Sequence, residues 1–171
     1  MPSIKNVHML VLLLDDAAQS VVQTLRQQYY PTYASKMPAH LTLIHTLPVE
    51  VALFHKTLQA IAAAQPIFSV SINEIIPFKQ GNAISVTSNQ LMLLHQNMVK
   101  SLLPHLRKKD QLPYQPHITI QQKVTAWKAH TTNILLQQQW VAIAANAVAM
   151  QLLRHTNEGL KLIHTYHFKQ T

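Results

Sequence analysis

Four His-x-Thr strings occur in the sequence, beginning at His40, His55, His117 and His130. In HLTL from His40 and HITI from His117, polar and aliphatic residues alternate, which predicts half-buried strands. Residues two apart on a strand project from the same face, so each string would place an imidazole beside a hydroxyl. His55 and His130 fall within helical patterns instead. We therefore select HLTL and HITI as the candidate chemical motifs.

The predicted chemistry of the two motifs is proton transfer at a phosphodiester. Histidine titrates near neutral pH, so a neutral imidazole can accept a proton while a protonated one donates a proton. On a cyclic phosphate, the base would activate water and the acid would protonate the departing sugar oxygen. The hydroxyls of Thr42 and Thr119 could hold the non-bridging oxygens as charge develops. We predict that His40 and His117 are catalytic and that the two threonines bind phosphate.

A repeated order of elements would position these motifs. Each half of the chain is predicted to run strand, helix, loop, H-x-T strand, helix, strand. The motif histidines are 77 positions apart (117 − 40), and the two glycines, Gly81 and Gly159, are 78 apart (159 − 81) in short polar turns where a positive φ favours glycine. We predict a single α+β domain over residues 1–171, with pseudo-symmetric halves at about 1–79 and 80–171. In this bilobal fold, two antiparallel-rich sheets flanked by helices would enclose a central cleft.

Composition narrows the class of protein. The 171 residues include 48% hydrophobic and 12% charged residues, which favours a compact fold. Fourteen Lys and Arg against six Asp and Glu give a net charge of +8, which indicates anionic partners such as RNA or nucleotides, or else a basic surface without a ligand. The absence of cysteine excludes disulfides, thiolate zinc sites and a thiol nucleophile. Neither a secretory signal nor an apolar run long enough to span a membrane is found, so we expect a cytoplasmic protein without membrane contact. We also expect a monomer.

The two H-x-T-x motifs in a small basic chain resemble those of the 2H phosphoesterase superfamily. Within it, the bacterial 2′-5′ RNA ligase/cyclic phosphodiesterase family is the most similar, and YQPHITI over 114–120 is particularly similar to its second motif. The resemblance implies metal-independent hydrolysis of 2′,3′-cyclic phosphates or related phosphodiesters of RNA ends and nucleotides, with no cofactor. Carried over by position, it implies that His40, Thr42, His117 and Thr119 are active, with His117 as the base on water and His40 as the acid.

One departure from the family concerns the residues after the second motif. Many relatives carry an arginine there, whereas this chain has Gln121, Gln122 and Lys123. A lysine offers a point charge but not the bidentate fork of arginine, which leaves the exact substrate open. Lys123 is a possible substrate contact, and so are Tyr33 and Tyr114 in the loops before the motifs, where stacking on a base and ordinary loop packing are both open.

Other residues are expected to lie outside the site. His45, five positions after His40, would face the opposite side of a regular strand, and Trp127 and Trp140 fit core positions. His164 and a second histidine three residues later would also lie on opposite faces, so we predict no metal site. Two other functions stay open: a non-catalytic RNA- or nucleotide-binding module on the same fold, and a metal-dependent hydrolase.

Overall fold

The computed structural model describes residues 7–34, 37–47 and 50–170. Within this part of the chain, four α-helices accompany a single antiparallel sheet of seven strands. The strands are β1 (His8–Leu14), β2 (Leu41–Leu47), β3 (Phe68–Phe78), β4 (Gly81–Thr87), β5 (His117–Gln121), β6 (Ile143–Thr156) and β7 (Gly159–His167). The helices are α1 (Asp16–Tyr29), α2 (Val51–Ala64), α3 (Asn89–Leu102) and α4 (Ala126–Gln139), and two 3₁₀ turns lie at Leu103–His105 and Lys108–Gln111. None of the helices described is long and apolar enough to cross a membrane.

Side-chain caps explain where three of the helices begin. Asp15, Ser88 and Thr125 precede α1, α3 and α4, and each accepts a hydrogen bond from the backbone amide three residues later. α2 begins after Glu50 without such a bond. Proline is favoured at the first position of a helix, so the sequence predicts that α2 starts at Pro48, which lies outside the described residues.

The sheet closes on itself. Its strand order is β1-β2-β5-β4-β3-β6-β7, and β1 also pairs with β6, so six strands form a closed barrel and β7 extends from β6. The α+β class is confirmed, but the prediction of two separate sheets is wrong. The reason is the length of β6: residues 143–147 pair with β3, while residues 147–154 pair with β1. One strand thus joins both groups, and closure leaves fewer unpaired strand edges.

The order of strands around the barrel is unchanged when three pairs of strands are exchanged. Exchanging β1 with β4, β2 with β5 and β3 with β6 reproduces the same strand order. The exchanged strands β2 and β5 pair through Leu41 and Ile118, and β3 and β6 pair through positions that include Val70 and Ala145. The division of the chain into halves near residue 79 stays a prediction, and the hairpin between β3 and β4 spans that position.

The motif aliphatics face the hydrophobic core that the sheet shares with the helices. Leu41, Leu43, Ile118 and Ile120 are all at most 2% exposed and belong to one contiguous core. Burial of each such side chain contributes about 1.5–3 kcal/mol. The core therefore fixes which face of β2 and β5 the polar motif residues occupy.

Two expectations about the fold need correction. Gly81 does not have a positive φ, unlike Gly159; an added Cβ at Gly81 would instead lie 1.9 Å from the Gln121 carbonyl oxygen, so close strand approach requires this glycine. Trp127, expected in the core, is 75% exposed on the first turn of α4, where the outward side of the helix points to solvent. Trp140 is half-buried and its indole N–H donates to the Asn73 carbonyl.

Candidate active site

The two motifs lie on neighbouring strands. β2 and β5 are antiparallel, and the residue after His40 pairs with the residue after His117. This register places His40 opposite Thr119, and Thr42 opposite His117, on the strand face that points away from the core. His117 is exposed, while the other three residues are half-buried. The arrangement is two His–Thr pairs in which each histidine lies across from the threonine of the other motif.

Both histidine rings are held in the same way. Nδ1 of His40 is 2.8 Å from the carbonyl oxygen of Pro38, and Nδ1 of His117 is 2.8 Å from that of Gln115. A carbonyl oxygen only accepts, so Nδ1 carries the hydrogen in each ring. Among the described residues, neither Nε2 has a hydrogen-bond partner. Each Nε2 therefore accepts a proton when its ring is neutral and donates one when the ring is charged.

The environment of His40 favours its neutral form. Burial lowers the pKa of His40, and the hydrogen bond to the Pro38 carbonyl opposes that effect. Electrostatic repulsion from Arg26, and from His45 and His117 when their rings are protonated, lowers the pKa of His40 further. A bound anion would act in the opposite direction, because it stabilises the protonated imidazole.

Arg26 lies beneath the two motifs, and the sequence analysis did not identify it. It is 4% exposed near the end of α1. Its Nε donates to the Met37 carbonyl at 3.0 Å, its Nη1 donates to the Thr119 carbonyl at 2.6 Å, and its guanidinium lies 3.8 Å from the centre of the Tyr30 ring. Arg26 thus links the segment before His40 to the strand that carries Thr119. No local sequence pattern distinguishes it from an ordinary helix-end arginine.

An irregularity in β2 changes the predicted orientation of His45. Thr42 and Ile44 of β2 pair with two consecutive residues of β1, so Leu43 is an extra residue that forms a bulge. Both Leu43 and Ile44 are buried. Beyond this bulge, His45 emerges beside the same pocket as Thr42. The expectation that His45 faces the opposite side is therefore wrong. Its Nδ1 lies 3.1 Å from Oδ1 of Asp110, and its backbone amide donates to the same oxygen at 2.7 Å.

A pocket adjoins His117 on the side of His45. The hydroxyl of Tyr114 donates to the Thr42 carbonyl at 2.9 Å, and the Tyr114 ring stacks on His95 with centroids 3.7 Å apart. Burial raises the pKa of Tyr114, so its hydroxyl stays a donor. One face of the predicted stacking residue is thus covered by His95. The pocket is lined by Thr42, Leu43, His45, His95, Lys109, Asp110, Leu112, Pro113, Tyr114, Gln115 and His117.

The pocket beside His40 has a different character, since most of its lining is aliphatic. It is formed by Val11, Leu12, Leu13, Gln19, Pro38, Ala39, His40, Gln151, Leu153, Leu160 and Leu162. The two sides of the histidine pair therefore differ, with aromatic, charged and polar groups near His117 and hydrocarbon near His40.

The residues after the second motif have separate roles. Gln121 is fully buried, where its Oε1 accepts from Asn82 and its Nε2 donates to Thr132, so it belongs to the core. Lys123 has a φ of 61° and its carbonyl accepts from the hydroxyl of the exposed Tyr33 at 3.1 Å. Two of the predicted substrate contacts, Tyr33 and Lys123, are thereby brought together at the edge of the motif strands.

Within the described ranges, no three His, Asp or Glu side chains are grouped so that they could hold a metal ion. The ring of His164 lies 4.9 Å from that of His55. Nδ1 of His55 is 3.0 Å from the hydroxyl of Tyr166.

The closed sheet with two H-x-T strands side by side corresponds to the 2H phosphoesterase class. Residues 14–159 match the 2′-5′ RNA ligase superfamily. Because the match covers most of the sequence, the chain belongs to this superfamily. No curated protein matches the chain significantly.

Solved structures share the fold at low sequence identity. TT0787 of Thermus thermophilus has a TM-score of 0.69 and 12% identity, and the alignment covers 96% of this chain and 98% of that one. LigT of E. coli in complex with 3′-AMP has a TM-score of 0.63 and 15% identity, with 96% and 99% covered. Usb1 of Kluyveromyces marxianus with uridine monophosphate has a TM-score of 0.52 and 11% identity, with 98% and 100% covered. At these identities the similarity establishes the fold.

Proposed function

We propose that this chain is a metal-independent phosphodiesterase that hydrolyses 2′,3′-cyclic phosphates of RNA ends or nucleotides. The observation that carries the proposal is the pair of histidines on adjacent strands, each with Nδ1 held by the carbonyl two residues earlier. That bond leaves Nε2 of both rings free to exchange a proton, and a threonine of the other motif lies across from each histidine. Two such imidazoles supply the base and the acid that an in-line displacement at phosphorus requires.

In the proposed reaction, a water oxygen bonds to phosphorus while the bond from phosphorus to one ribose oxygen breaks. His117 takes the proton from water, and His40 gives its proton to the departing ribose oxygen, which leaves a phosphomonoester and a free hydroxyl. Burial lowers the pKa of His40, so this assignment requires the phosphodiester anion to stabilise the protonated ring. The hydroxyls of Thr42 and Thr119 are proposed to donate to the non-bridging oxygens.

Charge and similarity support a nucleotide or RNA end as the substrate. The net charge of +8 favours anionic ligands. Two proteins of the same fold hold mononucleotides, 3′-AMP in LigT and uridine monophosphate in Usb1. Both motifs come from one chain, so we propose that a monomer contains the whole site, built from the halves at about 1–79 and 80–171.

A panel of phosphodiesters tests this function. We expect turnover of a nucleoside 2′,3′-cyclic phosphate that persists in EDTA, with release of a single phosphate isomer identified by chromatography. Linear 2′-5′- and 3′-5′-linked dinucleotides in the same panel define the substrate class. Loss of turnover on chelation would favour a metal-dependent hydrolase. Nucleotide binding without turnover of any compound would favour the non-catalytic binding module.

A further inference from the structure

We propose that His45, oriented by Asp110, contacts the phosphate oxygen that enters on the His117 side of the site. This inference rests on the proposed function, because that oxygen belongs to the attacking water before reaction and to the phosphomonoester afterwards. His45 would therefore contact substrate directly, as a third imidazole beside the catalytic pair.

The position of His45 follows from the two strands. The outward residues are His40, directly before β2, then Thr42 and, after the bulge, His45. His117 lies across from Thr42 on β5, so His117 is placed between the other two histidines along the strand direction. Both His45 and His117 interact electrostatically with His40, which agrees with three imidazoles at one site. A group bound at His117 on the side away from His40 therefore meets His45.

The orientation of the His45 ring leaves one nitrogen for a ligand. A carboxylate only accepts hydrogen bonds, so Nδ1 of His45 carries the hydrogen directed to Asp110 at 3.1 Å. Among the described residues, Nε2 of His45 has no hydrogen-bond partner, and the side chain is 45% exposed in the pocket that also contains His117. This is the same use of the ring as in His40 and His117, with a carboxylate in place of the carbonyl.

Asp110 binds both the backbone amide and the ring of His45. The backbone amide of His45 already binds Oδ1 of Asp110 at 2.7 Å, which ties the 3₁₀ turn to β2 without any imidazole. Burial acts to raise the pKa of Asp110, but hydrogen bonds from His45 hold that pKa below its ordinary value. The group is therefore a carboxylate, only 2% exposed, next to a site for an anion. The imidazole stands between the two negative groups, which makes its contact with phosphate oxygen favourable.

Two substitutions separate contact with substrate from support of the loop. In His45→Asn, the amide can keep the bond to Asp110 but no longer reaches the position of Nε2, whereas His45→Gln extends an amide to that position. The matched control is His130→Asn on the exposed side of α4. Turnover of adenosine 2′,3′-cyclic phosphate is measured together with the affinity for adenosine 2′- and 3′-phosphate and the urea midpoint.

If His45 contacts the entering oxygen, His45→Asn lowers kcat/KM by about 10- to 100-fold and weakens binding of the product phosphate, with the urea midpoint retained. His45→Gln recovers part of both, and His130→Asn matches wild type. In wild-type protein, the His45 imidazole resonances shift when the product nucleotide binds, a readout that is independent of the variants' folding. Equal activity and affinity in His45→Asn, or His45 resonances that do not move, would overturn the inference.

The proposed function and this inference fail in different ways. If wild type binds an adenosine phosphate but turns over no cyclic phosphate, the hydrolase proposal fails, and the affinities and resonances still decide the role of His45. If wild type binds none of these nucleotides, both proposals are refuted.

Discussion

Replacement of His117 by alanine separates catalysis from folding. The His117 side chain is exposed, and its bond to the Gln115 carbonyl can be replaced by water because Gln115 is exposed as well. We therefore expect His117→Ala to change the free energy of unfolding by no more than about 0.5 kcal/mol. Loss of one proton transfer should lower kcat by about 10²–10⁴-fold. At 1.36 kcal/mol per factor of ten, this corresponds to about 2.7–5.4 kcal/mol of transition-state stabilisation.

The assay measures hydrolysis of a nucleoside 2′,3′-cyclic phosphate together with urea unfolding of the same samples. His130→Ala is the matched control, since His130 also begins an H-x-T string and its side chain is exposed on α4. We expect the control to retain wild-type turnover. A rate within tenfold of wild type for His117→Ala, or an equal loss in His130→Ala, would refute the choice of motifs.

The pH dependence of the His117→Ala variant then reports the role of His40. As the acid, His40 must be protonated, so kcat/KM should fall as the pH rises through the pKa of His40 in the free protein. Burial lowers that pKa, so the fall should lie below the ordinary histidine value of about 6.5. A kcat/KM that instead rises with pH over that range would assign His40 as the base.

Three further predictions concern the support of the site. Arg26→Met removes two hydrogen bonds of a charged donor, but it also removes the cost of burying that charge. We therefore expect the free energy of unfolding in urea to fall by about 2–4 kcal/mol, together with reduced turnover. Gly81→Ala forces a Cβ against the Gln121 carbonyl and should cost about 1–3 kcal/mol in the same assay, whereas an unchanged urea midpoint would mean that the strands separate freely there. Burial lowers the pKa of His95, so the native state binds fewer protons than the unfolded chain, and stability should fall as the pH drops from about 6.5 through that lowered pKa. His95→Gln should reduce this dependence, as measured by urea midpoints between about pH 7.5 and 5, the range in which histidine titrates.

The parts of the fold that depend on local pattern were predictable. Alternation in HLTL and HITI identified strands whose aliphatic residues are in the core. The caps at Asp15, Ser88 and Thr125 follow from the chemistry of their own side chains. These features depend on residues within a few positions of one another, which is the range over which sequence periodicity and capping act.

The closure of the barrel and the position of His45 could not be predicted in this way. β6 pairs with β1 at one end and β3 at the other, and nothing in its sequence marks that change of partner. The bulge at Leu43 is compatible with the aliphatic run LTLI, yet it turns His45 toward the site. Asp110 lies 65 positions from His45, so the bond between them exists only in the folded chain.

The two motif strands, β2 and β5, are paired only briefly. The two strands share a single residue pair, so backbone groups that would otherwise form ladder bonds need other partners. Tyr114, from the loop before the second motif, donates to the carbonyl of Thr42 in the first motif. Arg26, from the helix before the first motif, donates to the carbonyl of Thr119 in the second. These side chains replace ladder bonds across a separation that a fully paired sheet would close, and each motif is thereby held by a residue that precedes the other. The two motifs are thus joined by one residue pair and by two long side chains that bind backbone carbonyls of the motif strands.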